Sequence, residues 1–416
     1  MKSTISFPTP HTPHPTPYQP SWEIPESVYI HIPFCRRRCF YCDFPISVIG
    51  NKTEPSKYSP IETYVQWLVK EINLSVNLGK PLQTVFFGGG TPSLLPVQEL
   101  SKILETLERK FGLAQKAEIS LEIDPGTFTI QQLREYQRLG INRVSLGVQA
   151  FQDEILLSCG RSHNVADIWQ AVQFLEAVGF TNFSLDLISG LPHQSLEQWE
   201  NSLLQAISIS PTHLSCYDLV LEEVTPFGKR YQVGEFPLPT DENAAQMYRL
   251  AQQKLTQAGY KHYEISNYAL DGYQCQHNRV YWENRSFYAF GMGAASYLEG
   301  TRYISPRTRV EYYEYVEGLP KVVDDLPSRE TAPKNQNTQK DIFLETLMLG
   351  FRLAEGVSIP LLAQNFGHET ISLLLSLLEP YQAKGWVKIS QDRVCLSDPE
   401  GFLFSNVVLT RIFEKM

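Results

Sequence analysis

A repeating α/β chain followed by a smaller helical module is the fold class that this sequence predicts, on three observations. Between Val28 and about Leu221, short apolar, β-branched runs alternate with longer helical patterns, as parallel strands joined by helical crossovers do. The glycines and polar residues that punctuate this region follow the strands rather than precede them, which puts the binding loops at the carboxyl ends of the strands. Beyond Pro327 the pattern changes to helices and one short hairpin.

The expected strands are Val28 to Ile32, Thr84 to Phe87, Glu118 to Ile123, Arg143 to Leu146, Asn182 to Ile188 and His213 to Leu219. Each is a short run of mainly apolar and β-branched residues, as strands buried on both faces are. The stretches between them keep a helical period. In Ile61 to Leu74, for example, Tyr64, Leu68 and Ile72 share one face. Six such units build either a doubly wound sheet or an open barrel, and periodicity does not choose between them. With 416 residues, 43% of them apolar and 12% aromatic, the chain can bury one large core and a smaller one. The formal charge of −9 argues against general nucleic-acid binding. No run of about 18 apolar residues is present to span a membrane. Residues 1–26 hold seven prolines and one lysine, which predicts an extended, disordered tail and matches neither a secretory nor a transit peptide. Cys159, Cys216, Cys275 and Cys395 are scattered singly, as reduced thiols of a cytoplasmic protein are.

Chemistry concentrates directly after the first strand, in Tyr29-Ile-His-Ile-Pro-Phe-Cys35-Arg-Arg-Arg-Cys39-Phe-Tyr-Cys42-Asp-Phe44. Three thiolates at C-x3-C-x2-C spacing converge on one soft centre, and an odd number cannot all pair as disulfides. Two centres remain open on spacing alone. One is a zinc knuckle closed by His31 or a distant histidine; the other is a [4Fe-4S] cubane that keeps one iron free for an outside ligand. The second strand runs into Gly88-Gly89-Gly90-Thr91, where glycines let the backbone approach a ligand, although a plain strand-to-helix turn has the same composition. Glu122 ends the third strand, as a ligand for hydroxyls or an ammonium or as a partner of Arg143 or Arg161. Gln149, Arg161 and Asp186 follow or end the next strands. The run Arg36-Arg37-Arg38 reads either as a solvated loop or as cations that tune a cluster and attract tetrapyrrole carboxylates.

With Tyr41 before the last cysteine, the cysteine motif resembles the radical S-adenosylmethionine (SAM) superfamily. The longer phrase Tyr29-x-His31-x-Pro33-Phe34-Cys35 resembles one branch of it, the anaerobic coproporphyrinogen dehydrogenases and the HemW heme chaperones. The resemblance implies a partial (βα)6 barrel and a [4Fe-4S] cluster on Cys35, Cys39 and Cys42. It further implies that Gly88, Gly89, Gly90 and Thr91 meet the amino and carboxylate groups of SAM. Tyr29, Tyr41, Glu122, Gln149, Arg161 and Asp186 are the other SAM contacts it implies. These residues position the cofactor, and no catalytic acid or base is assigned. The dehydrogenases carry a further cysteine two positions after the triad, where this chain has Phe44, so the match there is with HemW.

Farther along, Thr240 to Ala258 predicts an amphipathic helix with Asp241 and Glu242 in its first turn. Tyr263-Glu-Ile-Ser-Asn-Tyr268 has no evident physical role. In His277-Asn-Arg-Val-Tyr281-Trp282, the histidine reads either as a structural residue bonded to backbone or as an axial ligand for heme beside flat aromatic surface. The resemblance to the HNxxYW phrase of HemW favours the ligand. The expected domains are 1–26 as a tail, 27–325 as the barrel and its extension, 326–340 as a hydrophilic linker, and 341–416 as a C-terminal module. Helical patterns at Ile342 to Leu353 and Ile359 to Leu378, then a hairpin around Gln391-Asp392 and a last helix, predict a winged-helix-like module. The expected function is that of a heme chaperone, with heme and acceptor hemoproteins as partners. Respiratory enzymes near the membrane are the candidate acceptors, a homodimer is the candidate assembly, and no nucleic acid is a partner. The rival is oxidative decarboxylation of coproporphyrinogen III, so enzymatic turnover stays open.

Overall fold

The structure is a computed structural model that describes residues 24–50, 60–320 and 338–416. Most of the expected tail and most of the expected linker lie outside the described residues.

Strand and helix alternate as the sequence implies: β1 (Ser27–Ile32), α1 (Pro60–Leu74), β2 (Leu82–Gly89), α2 (Val97–Phe111), β3 (Leu113–Ile123), α3 (Ile130–Arg138) and β4 (Arg143–Gln149). They continue with α4 (Val165–Val178), β5 (Phe183–Ser189), α5 (Leu196–Ile209), β6 (His213–Asp218) and α6 (Asp241–Gln257). Three of the helices open on capping boxes, Thr129 with Gln132, Asn164 with Asp167, and Ser195 with Gln198, which fix where each loop ends. On α1 the expected face, Tyr64, Leu68 and Ile72, is buried. Each such aliphatic side chain contributes roughly 1.5–3 kcal/mol on leaving water.

Sheet order settles what periodicity left open. β1 to β6 are hydrogen-bonded neighbours in sequence order, all parallel. A doubly wound sheet reverses its strand order part-way; this one winds in a single direction, as a barrel wall does. Along β1, Val28, Ile30 and Ile32 join the main core, whereas the alternate Tyr29 lines an interior cavity. The sheet extends past both ends of the six-strand wall. β7 (Lys261–Glu264) and β8 (Asn267–Ala269) add antiparallel pairings beyond β6. Helix α7 (Gln276–Trp282) leads to β9 (Tyr288–Phe290), which lies parallel to β1 on its free side. A strand of three residues is too short to announce itself by alternation. Helix α8 (Arg309–Glu317) then packs on α1.

The C-terminal residues have their own core, centred on Leu347, Leu374, Val394 and Ile412. They form α9 (Gln339–Gly350), α10 (Ile359–Phe366), α11 (His368–Ala383) and α12 (Ser405–Lys415), with a hairpin of Val387–Ile389 and Arg393–Leu396. The single helix expected over Ile359 to Leu378 is two, because Gly367 breaks it with a φ of 88°. The phrase Tyr263 to Tyr268 acquires a physical role as the seam to this module. Ile265 N–H donates to the Arg352 carbonyl at 2.9 Å, and Ala354 N–H donates to the Tyr263 carbonyl at 3.0 Å. Among the described residues, no helix is long and apolar enough to cross a membrane.

Candidate functional site

At the carboxyl ends of the barrel strands lies a cavity of about 460 Å³. Its lining brings together Cys35, Cys39 and Cys42 with Tyr41, Gly89, Gly90 and Thr91, and with Glu122, Gln149, Arg161 and Asp186. These residues come from loops and strand ends up to 151 positions apart, and the winding of the barrel alone makes them neighbours. Two of the expected SAM residues sit just outside this lining. Tyr29 lies one layer deeper, in a cavity of about 200 Å³, with its hydroxyl 3.1 Å from His31 Nδ1. Gly88 packs below, where an added Cβ would stand 3.0 Å from the Tyr29 ring.

The three cysteines are free thiols on a half-buried loop. Burial pushes the Cys35 thiol up to about 12, against a hydrogen bond from Thr91, and raises Cys42 as well. Loading a metal on these sulfurs therefore releases protons. Arg161 Nη1 donates to Cys39 Sγ at 3.4 Å and Thr91 Oγ1 to Cys35 Sγ at 3.7 Å, the kind of contact that tunes a thiolate-bound cluster. Arg161 Nε is a buried donor without a partner, which leaves the site one N–H for a bound group. Gly90 is required for the approach, since an added Cβ would stand 2.7 Å from the Phe34 carbonyl and 3.0 Å from Cys35 Sγ. Among the described residues no set of three or more His, Cys, Asp or Glu converges as it would round one metal ion. A cubane takes one thiolate per iron and asks for a wider spread. His31 is no fourth zinc ligand either, because its Nε2 lies 2.9 Å from the Pro45 carbonyl and Tyr29 holds Nδ1. The donor set fits a three-cysteine cluster with SAM beside it.

Across the cavity, the acidic groups are held in an unusual state. Burial, and then Asp186 nearby, raise the Glu122 carboxyl to about 8 even though Gly89 N–H donates to it at 3.0 Å. Burial raises Asp186 too, against hydrogen bonds from serines 215, 145 and 184. Gln149 sits at a bulge with φ of 69°, a left-handed conformation that a non-glycine residue adopts only under surrounding constraint. Sequence reasoning passed over Asp124, which accepts from Arg161 Nη2 at 2.5 Å and from Thr91 Oγ1 at 3.1 Å. The signal was present: residues 122 and 124 are two apart on the run out of β3 and face the same side.

His277 lies in the deeper cavity with Tyr29, not at the mouth. Its ring stacks on Phe86 at 5.1 Å, Thr84 Oγ1 stands 2.7 Å from Nδ1 and Tyr281 Oη 2.8 Å from Nε2. Burial lowers it to about 3, so the imidazole is neutral. Both nitrogens already have partners.

A βα barrel that gathers three cysteines and a glycine turn at its strand ends defines a radical SAM protein. Residues 29–206 match the Radical SAM superfamily and residues 337–404 the HemN C-terminal domain. The chain belongs to the HemW heme chaperone family. It is 45% identical over 406 residues to the heme chaperone HemW of Synechocystis sp., covering 94% of this chain and 97% of that protein. It is 34% identical over 386 residues to the heme chaperone HemW of Bacillus subtilis, covering 92% and 98%. In fold it resembles the coproporphyrinogen III oxidase HemN of Escherichia coli, a radical SAM enzyme, with a TM-score of 0.76 over 94% of this chain and 90% of that one, at 21% identity. Membership of the superfamily carries the capacity to bind SAM and a [4Fe-4S] cluster.

Proposed function

We propose that this protein binds heme and hands it to acceptor hemoproteins, with a [4Fe-4S] cluster on Cys35, Cys39 and Cys42 and SAM on the free iron. The observation that carries the reading is the 45% identity to the Synechocystis heme chaperone along 97% of its length. The position after the triad supports it: Phe44, 54% exposed, stands at the cavity wall and offers no fourth thiol there.

When bound, the cluster supplies an electron and an open coordination site to SAM. The chain's own groups do the positioning. Gly89 and Gly90 leave room for the ligand, the Thr91 hydroxyl and the carboxyl groups of Glu122 and Asp186 face it, and Arg161 is fixed by Asp124 against the thiols. His277 is the proposed axial ligand of heme iron, which requires Tyr281 to give up its bond to Nε2. Acceptor hemoproteins at a membrane, and a homodimer, belong to the same reading, as does the division of the chain into a barrel and a C-terminal module joined by a linker.

An anaerobic heme titration of the cluster-loaded protein, followed at the Soret band, tests this. Stoichiometric binding that is weakened or spectrally altered by His277→Ala is expected. Indifference to heme, together with decarboxylation of coproporphyrinogen III in the presence of SAM and a reductant, would overturn it in favour of the enzyme.

A further inference from the structure

Beside the cluster loop lies a second cavity, of about 410 Å³, walled by Phe44, Pro45, Tyr281, Phe287 and Ala294 and carrying Arg285, Arg302 and Arg307. The three guanidiniums come from three places in the chain: the turn after α7, the strand Thr301–Ile304, and the approach to α8. An adjoining cavity shares Asp43, Phe44, Pro45 and Arg307 and adds Arg38 and Arg309. Such a concentration of cations is unexpected in a chain of formal charge −9. Arg302 pairs with Glu345 at 2.7 Å, Arg285 with Glu283 at 3.5 Å, and Arg307 lies 3.9 Å from Asp43 Oδ2 and donates to the Asp43 carbonyl at 2.7 Å. Aromatic walls with cations at the rim suit a flat apolar ligand that bears carboxylates.

We propose that heme docks in this cavity, with its ring against Phe44, Phe287 and Tyr281 and its propionates on Arg302 and Arg307. The proposal rests on the heme-binding reading above and specifies where that ligand sits. Two features of the wall support it. Tyr281 lines this cavity and also the one that holds His277, and its hydroxyl is bonded to His277 Nε2, so a macrocycle against Tyr281 touches the residue that covers that nitrogen. Phe44 lines this cavity and the cluster cavity alike, so the docked ring abuts the cluster site.

The test uses the cluster-loaded full chain and compares heme with its dimethyl ester, in which both propionates are uncharged, at low and high salt. Heme should bind at least tenfold more tightly than the ester, and added salt should shrink the difference. Arg302→Gln/Arg307→Gln should bring heme down to the ester's affinity, and Arg302→Lys/Arg307→Lys should recover part of the loss. Both arginines are substantially exposed, with 44% and 59% of their side chains accessible, so iron content and circular dichroism should report an intact fold in the variants. Equal binding of heme and ester by the parent chain would overturn the proposal while leaving heme binding itself in place, as would heme affinity unmoved by the double glutamine variant. Failure of the parent chain to bind heme at all would instead overturn the functional reading on which it rests.

Discussion

Glu122 shows how burial turns a side chain into a condition on binding. Its carboxyl, raised to about 8, holds a proton near neutrality, yet SAM offers hydroxyls and an ammonium that favour the carboxylate. SAM affinity should therefore rise with pH and level off above about 8, falling by up to about tenfold per unit below that, and Glu122→Gln should weaken binding and make the profile shallower in anaerobic calorimetry. The same shift acts on stability with a definite sign. The folded state keeps a proton that the unfolded chain releases above its ordinary value, so in the SAM-free protein this group's contribution declines as pH climbs from about 4.5 towards 8. Arg161 is the complementary case, with 8% of its side chain exposed against Asp124 at 19%. Arg161→Met should lower stability by an amount near the bottom of the range of about 3–5 kcal/mol for breaking a buried pair, and Asp124→Asn on that background should recover part of it in denaturant titrations. Gly90→Ala would drive a methyl to 2.7 Å from the Phe34 carbonyl, so the variant should fold and yet lose most of its iron on desalting after reconstitution.

Among the elements, the barrel strands were legible because each is a compact apolar run, and their order was not, because order depends on which edges meet. The cluster loop was legible for a different reason: three cysteines within eight positions form a local pattern that needs no fold to be read. The arginine cavity is the opposite, since Arg285, Arg302 and Arg307 belong to separate elements and only packing gathers them. The seam between barrel and C-terminal module was equally silent. There His262 stacks on Tyr268 with ring centroids 4.0 Å apart, its Nδ1 lies 2.9 Å from Asp398 Oδ1, and only 1% of its side chain is exposed. Nearby, Arg249 meets Glu400 in a two-pronged pair with more than a third of each side chain in water. His262→Ala should loosen the seam by about 1–3 kcal/mol, seen as faster amide exchange across Gln339–Gly350 and Ser405–Lys415, whereas Glu400→Ala should cost under about 1 kcal/mol.

The whole molecule is an unclosed wall in the strand order β9-β1-β2-β3-β4-β5-β6-β8-β7, with the cofactor cavity at one end and the C-terminal module seated where β7 meets Leu353. Four cavities meet at Phe44, so the cysteine loop, His277 and the arginine-rimmed space share one aromatic wall. The place of β9 has a further consequence, for the protein as it is made. β1 pairs with β2 on one side and with Tyr288–Phe290 on the other, so during synthesis the second edge of Val28–Ile32 waits for a partner some 250 residues behind it. At roughly 5–20 residues per second, an apolar parallel strand stays half-paired on the ribosome for ~10–50 s. Chains stalled shortly before Tyr288 should hold on to a nascent-chain chaperone by this edge, and chains stalled well past Phe290 should let it go.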